Sequence, residues 1–170
     1  MKNLILTLSI LLTTIISYGQ HHIISVNGIE LDKKYTQSQI YNILGSPKSI
    51  ITDEDDSWCS GYYYNNSYFC FKADDWVLLD FTIKDTIYKV NNYLTVGMHS
   101  DSINAMKGYL TYGSIDDETI HMYWAPSKEY RDNVGYIRIH INKQTKIIRM
   151  ITLVTQEMFI IKSYCLNSYR

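Results

Sequence analysis

The alternation of apolar and polar residues along the chain predicts mostly strands. Residues 77–84 alternate cleanly, with apolar side chains at every second position. Residues 136–142 do the same: three isoleucines face one side, and Tyr136, Arg138 and His140 face the other. Further strands are predicted at 61–72, with a turn at Asn65-Asn66-Ser67, and at 86–90, 119–124 and 146–154. The pattern therefore indicates antiparallel meanders.

A short helix is predicted before each set of strands. Thr36 and Gln39 form a capping box, in which the threonine oxygen accepts from the backbone and the glutamine reaches back, and Gly45 ends that helix. Ser100-Asp101 can cap a second helix that carries Ile103 and Met106. Because the order of elements repeats, the sequence predicts two similar units.

The expected fold is α+β: two tandem helix plus antiparallel β-meander units that form one curved sheet, with short helices on one face. The predicted segments are a signal peptide at 1–19, an N-terminal extension at 20–30, a first unit at 31–92, a second at 93–155 and a C-terminal tail at 156–170. Two short helices cannot cover both faces of such a sheet. We therefore expect an open face that carries Tyr136, Arg138 and His140.

The N-terminal residues predict export. A positive start at Lys2 precedes an apolar run at 4–16, which is too short to span a bilayer, and small residues follow it. Cleavage is predicted between Gly19 and Gln20. No cysteine stands at that junction for lipid attachment, so the sequence predicts a secreted or periplasmic protein without a stable membrane anchor after cleavage.

Composition and cysteine content narrow the possible functions. The chain has 16 basic and 17 acidic residues, without the basic stripe that nucleic-acid binding requires. Its 16 tyrosines against 4 phenylalanines suit both strands and interfaces. Outside the cytosol two of the three cysteines are expected to pair. Cys59 and Cys70 flank the predicted hairpin and are the first choice, and a bridge from either to Cys165 is the alternative.

Two short motifs resemble a known family of envelope proteins. Residues 97–103, Gly-Met-His-Ser-Asp-Ser-Ile, resemble a helix entry, and residues 44–47, Leu-Gly-Ser-Pro, resemble a helix exit. Both are similar to motifs of the SmpA/OmlA outer-membrane assembly lipoproteins and of the beta-lactamase inhibitor protein (BLIP). The resemblance implies a repeated helix and sheet unit whose concave face binds another protein. Because the lipidated cysteine of the assembly lipoproteins is missing, a soluble binder is the nearer analogy.

These features predict a non-enzymatic binding protein that engages a protein partner of unknown identity through a tyrosine-rich sheet face. An inhibitor or immunity protein is a narrower version, with an acidic loop inserted into an enzyme's cleft. A small-ligand carrier, an envelope assembly or structural factor, and a hydrolase are the alternatives. No motif for a catalytic centre, a metal or a cofactor stands out, so none of these is predicted. The candidate contact residues are Tyr62, Tyr64, Tyr123, Trp124, Tyr136, Arg138 and His140, with the acidic run Asp53, Glu54, Asp55 and Asp56.

Overall fold

The computed structural model describes residues 23–52 and 59–155 of the 170-residue chain. Its helices are α1 (Gln37–Leu44), a 3₁₀ helix (Ser100–Ala105) and α2 (Lys128–Asn133). The strands are β1 (Ser25–Val26), β2 (Ile29–Glu30), β3 (Ser49–Thr52), β4 (Cys59–Tyr64), β5 (Ser67–Lys72), β6 (Leu78–Ile83), β7 (Tyr109–Ile115), β8 (Thr119–Ala125), β9 (Gly135–Asn142) and β10 (Ile148–Thr155).

The strands β3 to β10 form one antiparallel sheet with the order β3-β4-β5-β6-β10-β9-β8-β7. Strands β3 to β6 follow each other directly, and β7 to β10 do the same. The two sets join where β10 pairs with β6, with Ile151 opposite Ile83 and Thr152 opposite Thr82. β10 is therefore the last strand of the described chain and lies in the middle of the sheet. β1 and β2 form a separate two-stranded sheet.

The hydrophobic core lies against one face of the large sheet. Alternate residues of the central strands point into it, including Ile137, Ile139 and Ile141 of β9. The layer on top supplies Ile24 and Ile29 from the small sheet region, together with residues of α1 and the 3₁₀ helix. Since burying apolar surface is the dominant stabilising term in folding, this layer fixes which face of the sheet is covered. The predicted position of the helices, on the isoleucine side, is confirmed.

The prediction of two tandem helix plus meander units is wrong. The described chain is mostly one continuous eight-stranded antiparallel sheet with a two-stranded sheet beside it and few helical residues. The predicted second α-helix is a six-residue 3₁₀ helix whose N-cap is His99, not Ser100 or Asp101. In addition, α2 interrupts the strands between β8 and β9. Short single-turn segments such as this one, with Ile103 as its buried residue, commonly take the tighter 3₁₀ form.

Two local predictions are confirmed in detail. Helix α1 begins after Thr36, which makes the full capping box with Gln39, and it ends at Gly45 with φ of 87°. A left-handed φ costs glycine no steric strain, so this residue can turn the chain where the helix stops. The hairpin β4–β5 turns at Asn65, also with a positive φ, and places Tyr64 opposite Ser67.

Candidate functional site

The face of the sheet opposite the core carries mostly half-buried polar and aromatic side chains. The main hydrophobic cluster lies on the other side, to which α1, the 3₁₀ helix and the small sheet region contribute, although Cys70 and Ala125 are fully buried on this side. We call this side the open face. One row of directly paired residues crosses all eight strands on it: Ser49, Tyr63, Tyr68, Thr82, Thr152, Arg138, Tyr123 and Thr111. Tyrosines and one arginine therefore lie in register along its full width.

Arg138 and two tyrosines form the centre of the open face on β8 and β9. The Arg138 Cζ atom lies 5.5 Å from the centroid of the Tyr123 ring, within cation–π range. The Tyr123 and Tyr136 rings meet edge to face with centroids 5.3 Å apart. A Cβ built on Gly113 would come within 2.6 Å of the Tyr123 ring. The missing side chain at Gly113 thus provides the space in which Tyr123 lies against β7.

Two histidines adjoin this cluster. His121 and His140 are directly opposite on β8 and β9, with ring centroids 4.7 Å apart. His140 Nε2 lies 3.5 Å from Thr152 Oγ1. The pKa of His140 is lowered to about 4, chiefly by burial and also by the charges of His121 and Arg138, while Asp116 opposes the shift. His140 is therefore neutral at pH 7 and can donate or accept a hydrogen bond without adding charge.

In the β3–β6 half of the open face, the side chains are held in place by contacts with one another. A disulfide joins Cys59 and Cys70, whose Cα atoms are 5.9 Å apart, as disulfide geometry requires. The Tyr68 ring lies over Gly61, where a Cβ would approach it to 2.8 Å, and its centroid is 5.0 Å from that of Tyr63. The disulfide thus joins Cys59 and Cys70, the pair that was the first choice from the sequence. Cys165 lies outside the described residues.

The loop between β7 and β8 uses its acidic side chain to hold its own turn. Asp116 Oδ1 accepts hydrogen bonds from the backbone N–H groups of Glu118 and Thr119, at 3.0 and 2.6 Å. These bonds, with His121 Nε2 at 3.4 Å from Oδ2, lower the pKa of Asp116. Asp116 is therefore engaged as a turn residue. The acidic run Asp53, Glu54, Asp55 and Asp56 lies outside the described residues, as do the signal peptide and its cleavage site.

The structure brings together some of the predicted contact residues and buries others. Tyr123, Tyr136, Arg138 and His140 are neighbours on the open face. The prediction of three further contact residues is wrong, because their side chains point into the core. These are Tyr62, Tyr64 and Trp124, which are 6%, 3% and 1% exposed. Burial raises the pKa of Tyr62 and of Tyr64.

Three residues of the site were missed from the sequence. His121 and Thr111 belong to the open face by register, and Gly113 makes room for Tyr123. The alternation of β8 puts His121 on the same side as Tyr123, and that signal could have found it. Thr111 and Gly113 lie in β7, which contains a register shift between Tyr112 and Ile115. The shift removes the regular alternation that would have marked this strand.

Cavities are also present among the described residues, away from this cluster. One open cavity of about 200 Å³ lies beside Leu31 and Thr155, and another of about 240 Å³ lies beside Asn104 and Tyr112. Neither is lined by the residues of the Arg138 cluster. Among residues 23–52 and 59–155, no three His, Cys, Asp or Glu side chains are grouped to hold a metal ion. Within the same ranges no helix has the length and apolar character needed to cross a membrane.

Comparisons with known proteins give distant structural likenesses. No protein-family model and no curated protein matches the chain. Its structure is similar to part of an extracellular protein containing an SCP domain from Bacillus anthracis str. Ames, with a TM-score of 0.45 and 9% identity over 78% of this chain and 48% of that chain. It is also similar to part of a cysteine-rich secretory protein from Staphylococcus aureus subsp. aureus Mu50, with a TM-score of 0.41 and 16% identity over 74% of this chain and 44% of that chain.

These findings correct the resemblance drawn from the two short motifs. The similar structures are described as SCP-domain and cysteine-rich secretory proteins, not as SmpA/OmlA lipoproteins or BLIP. The motif at 97–103 is similar to an α-helix entry, yet here it leads into a 3₁₀ helix. This chain spans less than half the length of either similar structure, and at this level the likeness assigns no activity. Both are extracellular or secretory by description.

Proposed function

We propose that this chain is an exported, non-enzymatic binding protein whose open face engages a protein partner. The observation that carries the proposal is the Tyr123, Tyr136 and Arg138 cluster on the sheet face opposite the main hydrophobic cluster. Tyrosine and arginine are the residue types that most often dominate binding energy at interfaces. Their rings are already packed against each other, so little side-chain freedom is lost on binding.

Export is supported by two independent features. The apolar run at 4–16 has the length and flanks of a signal peptide. The Cys59–Cys70 disulfide fits an oxidising compartment, where such bonds persist.

A small-ligand carrier has less support. Pockets that enclose small ligands usually have volumes of about 300 to 1,000 Å³. Two cavities lined by described residues, of about 200 and 240 Å³, are smaller, open and away from the tyrosine and arginine cluster. The narrower role of inhibitor or immunity protein depends on the loop at 53–56, and reversing its charges tests that role separately from the open face.

Affinity capture with the chain from residue 20 to 170 as bait, from an envelope extract, tests the proposal. We expect to capture one protein in stoichiometric amount, and its binding to the bait should persist at moderate salt. With that protein in hand, Tyr136→Ala and Arg138→Ala should each weaken binding by more than ~1 kcal/mol, measured by calorimetry, without unfolding the domain. The matched control is Tyr112→Ala. Tyr112 is 76% exposed but pairs with Met122 on the core side of the sheet, so its loss should leave binding unchanged.

If the captured partner binds Tyr136→Ala, Arg138→Ala and the wild type with equal affinity, the open face is not the binding surface. Absence of any protein above background, combined with thermal stabilisation by one member of a metabolite panel, would favour the carrier.

A further inference from the structure

Two arginines of the described residues stack on tyrosines, and in that part of the chain only one of them has a carboxylate beside it. Arg131 lies with its Cζ 5.0 Å from the Tyr109 ring centroid, and Asp132 forms an ion pair with it at 2.9 Å. That carboxylate raises the pKa of Arg131. Arg138 makes the equivalent stack on Tyr123 at 5.5 Å. Among the described residues, however, Arg138 has no carboxylate within ion-pair distance.

The carboxylates that share the open face are directed elsewhere or lie farther away. The carboxylate oxygens of Asp116 are hydrogen-bonded to the backbone of their own turn and to His121. Asp80 is on β6, two strands away from β9. The positive charge of Arg138 therefore acts on its surroundings, and it is one of the causes that hold the nearby His140 neutral.

Unpartnered polar atoms collect around this charge. Arg138 Nε, His121 Nδ1 and Thr111 Oγ1 are buried without a hydrogen-bond partner in the described structure. All three belong to β7, β8 and β9 on the open face. A buried donor without a partner typically costs about 1 to 3 kcal/mol, and most such groups in proteins are satisfied. The β3–β6 half of the open face contributes no atom to this group within the described residues.

We propose that Arg138 is the anchor point for a carboxylate, supplied by an aspartate or glutamate side chain of the protein partner. The inference rests on the proposed function and specifies its chemistry. Tyr123 covers one face of the guanidinium group, and the Nε–H at its edge is buried without a hydrogen-bond partner in the described structure. A carboxylate pairs with such an edge through two parallel hydrogen bonds. It supplies an acceptor to the unpartnered Nε–H and neutralises the charge.

The test uses small probes and does not depend on finding the partner. The Arg138 Nε–Hε signal is followed by ¹⁵N-correlated NMR while N-acetyl-aspartate amide is added at constant ionic strength. The neutral isostere N-acetyl-asparagine amide is the matched probe, and inorganic phosphate represents a free oxyanion. We expect a saturable shift of Arg138 with the aspartate probe, and binding of the asparagine probe weaker by about tenfold.

Variants establish which arginine responds. Arg138→Gln should abolish the saturable shifts of neighbouring backbone amides, whereas Arg131→Gln should leave them intact because Asp132 already occupies Arg131. Equal responses to aspartate, asparagine and sodium chloride would overturn the inference. Saturation by phosphate without saturation by the aspartate probe would overturn it as well, in favour of a tetrahedral oxyanion.

Failure of the inference is separable from failure of the proposed function. If a captured partner loses affinity with Tyr136→Ala but binds Arg138→Gln normally, the open face is the interface and the carboxylate anchor is wrong. If the aspartate probe saturates Arg138 but no protein loses affinity with Tyr136→Ala, Arg138 binds carboxylates and the proposed protein-binding role is wrong.

Discussion

The two halves of the open face are built from similar parts but are completed differently. On β3–β6, Tyr68 lies over Gly61 beside Tyr63, and the Cys59–Cys70 disulfide closes the group. On β7–β10, Tyr123 lies over Gly113 beside Tyr136, but a charged arginine takes the place next to the ring. One half is held by a covalent bond, and the other keeps polar atoms without partners.

The difference separates stability from binding on a single surface. A sheet face that satisfies all its own groups gains nothing by meeting a ligand, whereas unpartnered donors recover their desolvation cost when a ligand supplies acceptors. We therefore expect changes in either half to alter the free energy of unfolding, but only changes in the β7–β10 half to alter recognition as well. Three experiments test this division, from the largest expected effect to the smallest.

Removal of the disulfide should have the largest effect on stability. The bridge closes a loop with a sequence separation of 11 residues. Its entropic contribution in the unfolded state for a loop of this size is about 3 kcal/mol. Cys59→Ser combined with Cys70→Ser should lower the free energy of unfolding by that amount in urea titrations, and leave the response of Arg138 to the aspartate probe unchanged. A reducing agent should have no further effect on the double variant. Loss of the Arg138 response would show that the halves are not independent.

Paired glycine substitutions compare the halves directly. An alanine at Gly61 meets the Tyr68 ring, and an alanine at Gly113 meets the Tyr123 ring. Each should cost about 1 to 2 kcal/mol in thermal or urea unfolding, because a ring must move out of a packed position. Only Gly113→Ala should also weaken binding at Arg138, since it displaces the ring on which the guanidinium stacks. Equal loss of binding in both variants would contradict the proposed division.

The smallest expected effect is a pH dependence that comes from His140. Its folded-state pKa of about 4 lies below the usual 6.5, so the unfolded chain binds this proton first as the pH falls. Stability from this group is complete above about pH 6.5 and is lost between about pH 6.5 and pH 4. The shift corresponds to about 3 kcal/mol without solvent screening, and to on the order of 1 kcal/mol once the half-buried position of His140 is taken into account. His140→Gln should remove this part of the pH dependence, measured as the difference from wild type in urea titrations. Tyr136→Phe on the same face is the control and should retain it. Parallel pH profiles for wild type and His140→Gln would show that His140 titrates normally.

Much of the sheet could be predicted from the sequence because regular alternation reports burial directly. The strands β8, β9 and β10, the hairpin β4–β5 and helix α1 all carry clear periodicity or capping residues, and all are present. From β9 alone the alternation also identified the open face with Arg138 and His140. These features depend on local chemistry, which a sequence contains in full.

The missed features depend on irregularity or on distant partners. A register shift between Cys70 and Phe71 pairs Phe71 with Leu78, so Leu78 enters the core cluster where alternation had placed Leu79. The predicted strand at 86–90 makes only bridges at Val90, because the chain turns at Asn91 and Asn92 with positive φ. Helix α2 has no buried residue, and therefore no apolar face to reveal it.

The site itself was only partly predictable. In a run of three tyrosines, at 62–64, sequence alone cannot tell which side faces out, and here Tyr63 does while Tyr62 and Tyr64 enter the core. The lack of a carboxylate near Arg138, compared with Asp132 beside Arg131, depends on tertiary placement and has no sequence signal.

The central position of β10 determines when the domain can form. Because β10 lies between β6 and β9, the β3–β6 half has no partner along its inner edge until residues 148–155 have been synthesised. Pairings that join segments so distant in sequence are slow to form, because the entropy of closing the loop is lost before the contacts are gained. Folding of this sheet is therefore completed only after nearly the whole chain has emerged, and until then the edge of β6 remains open to pairing with other chains.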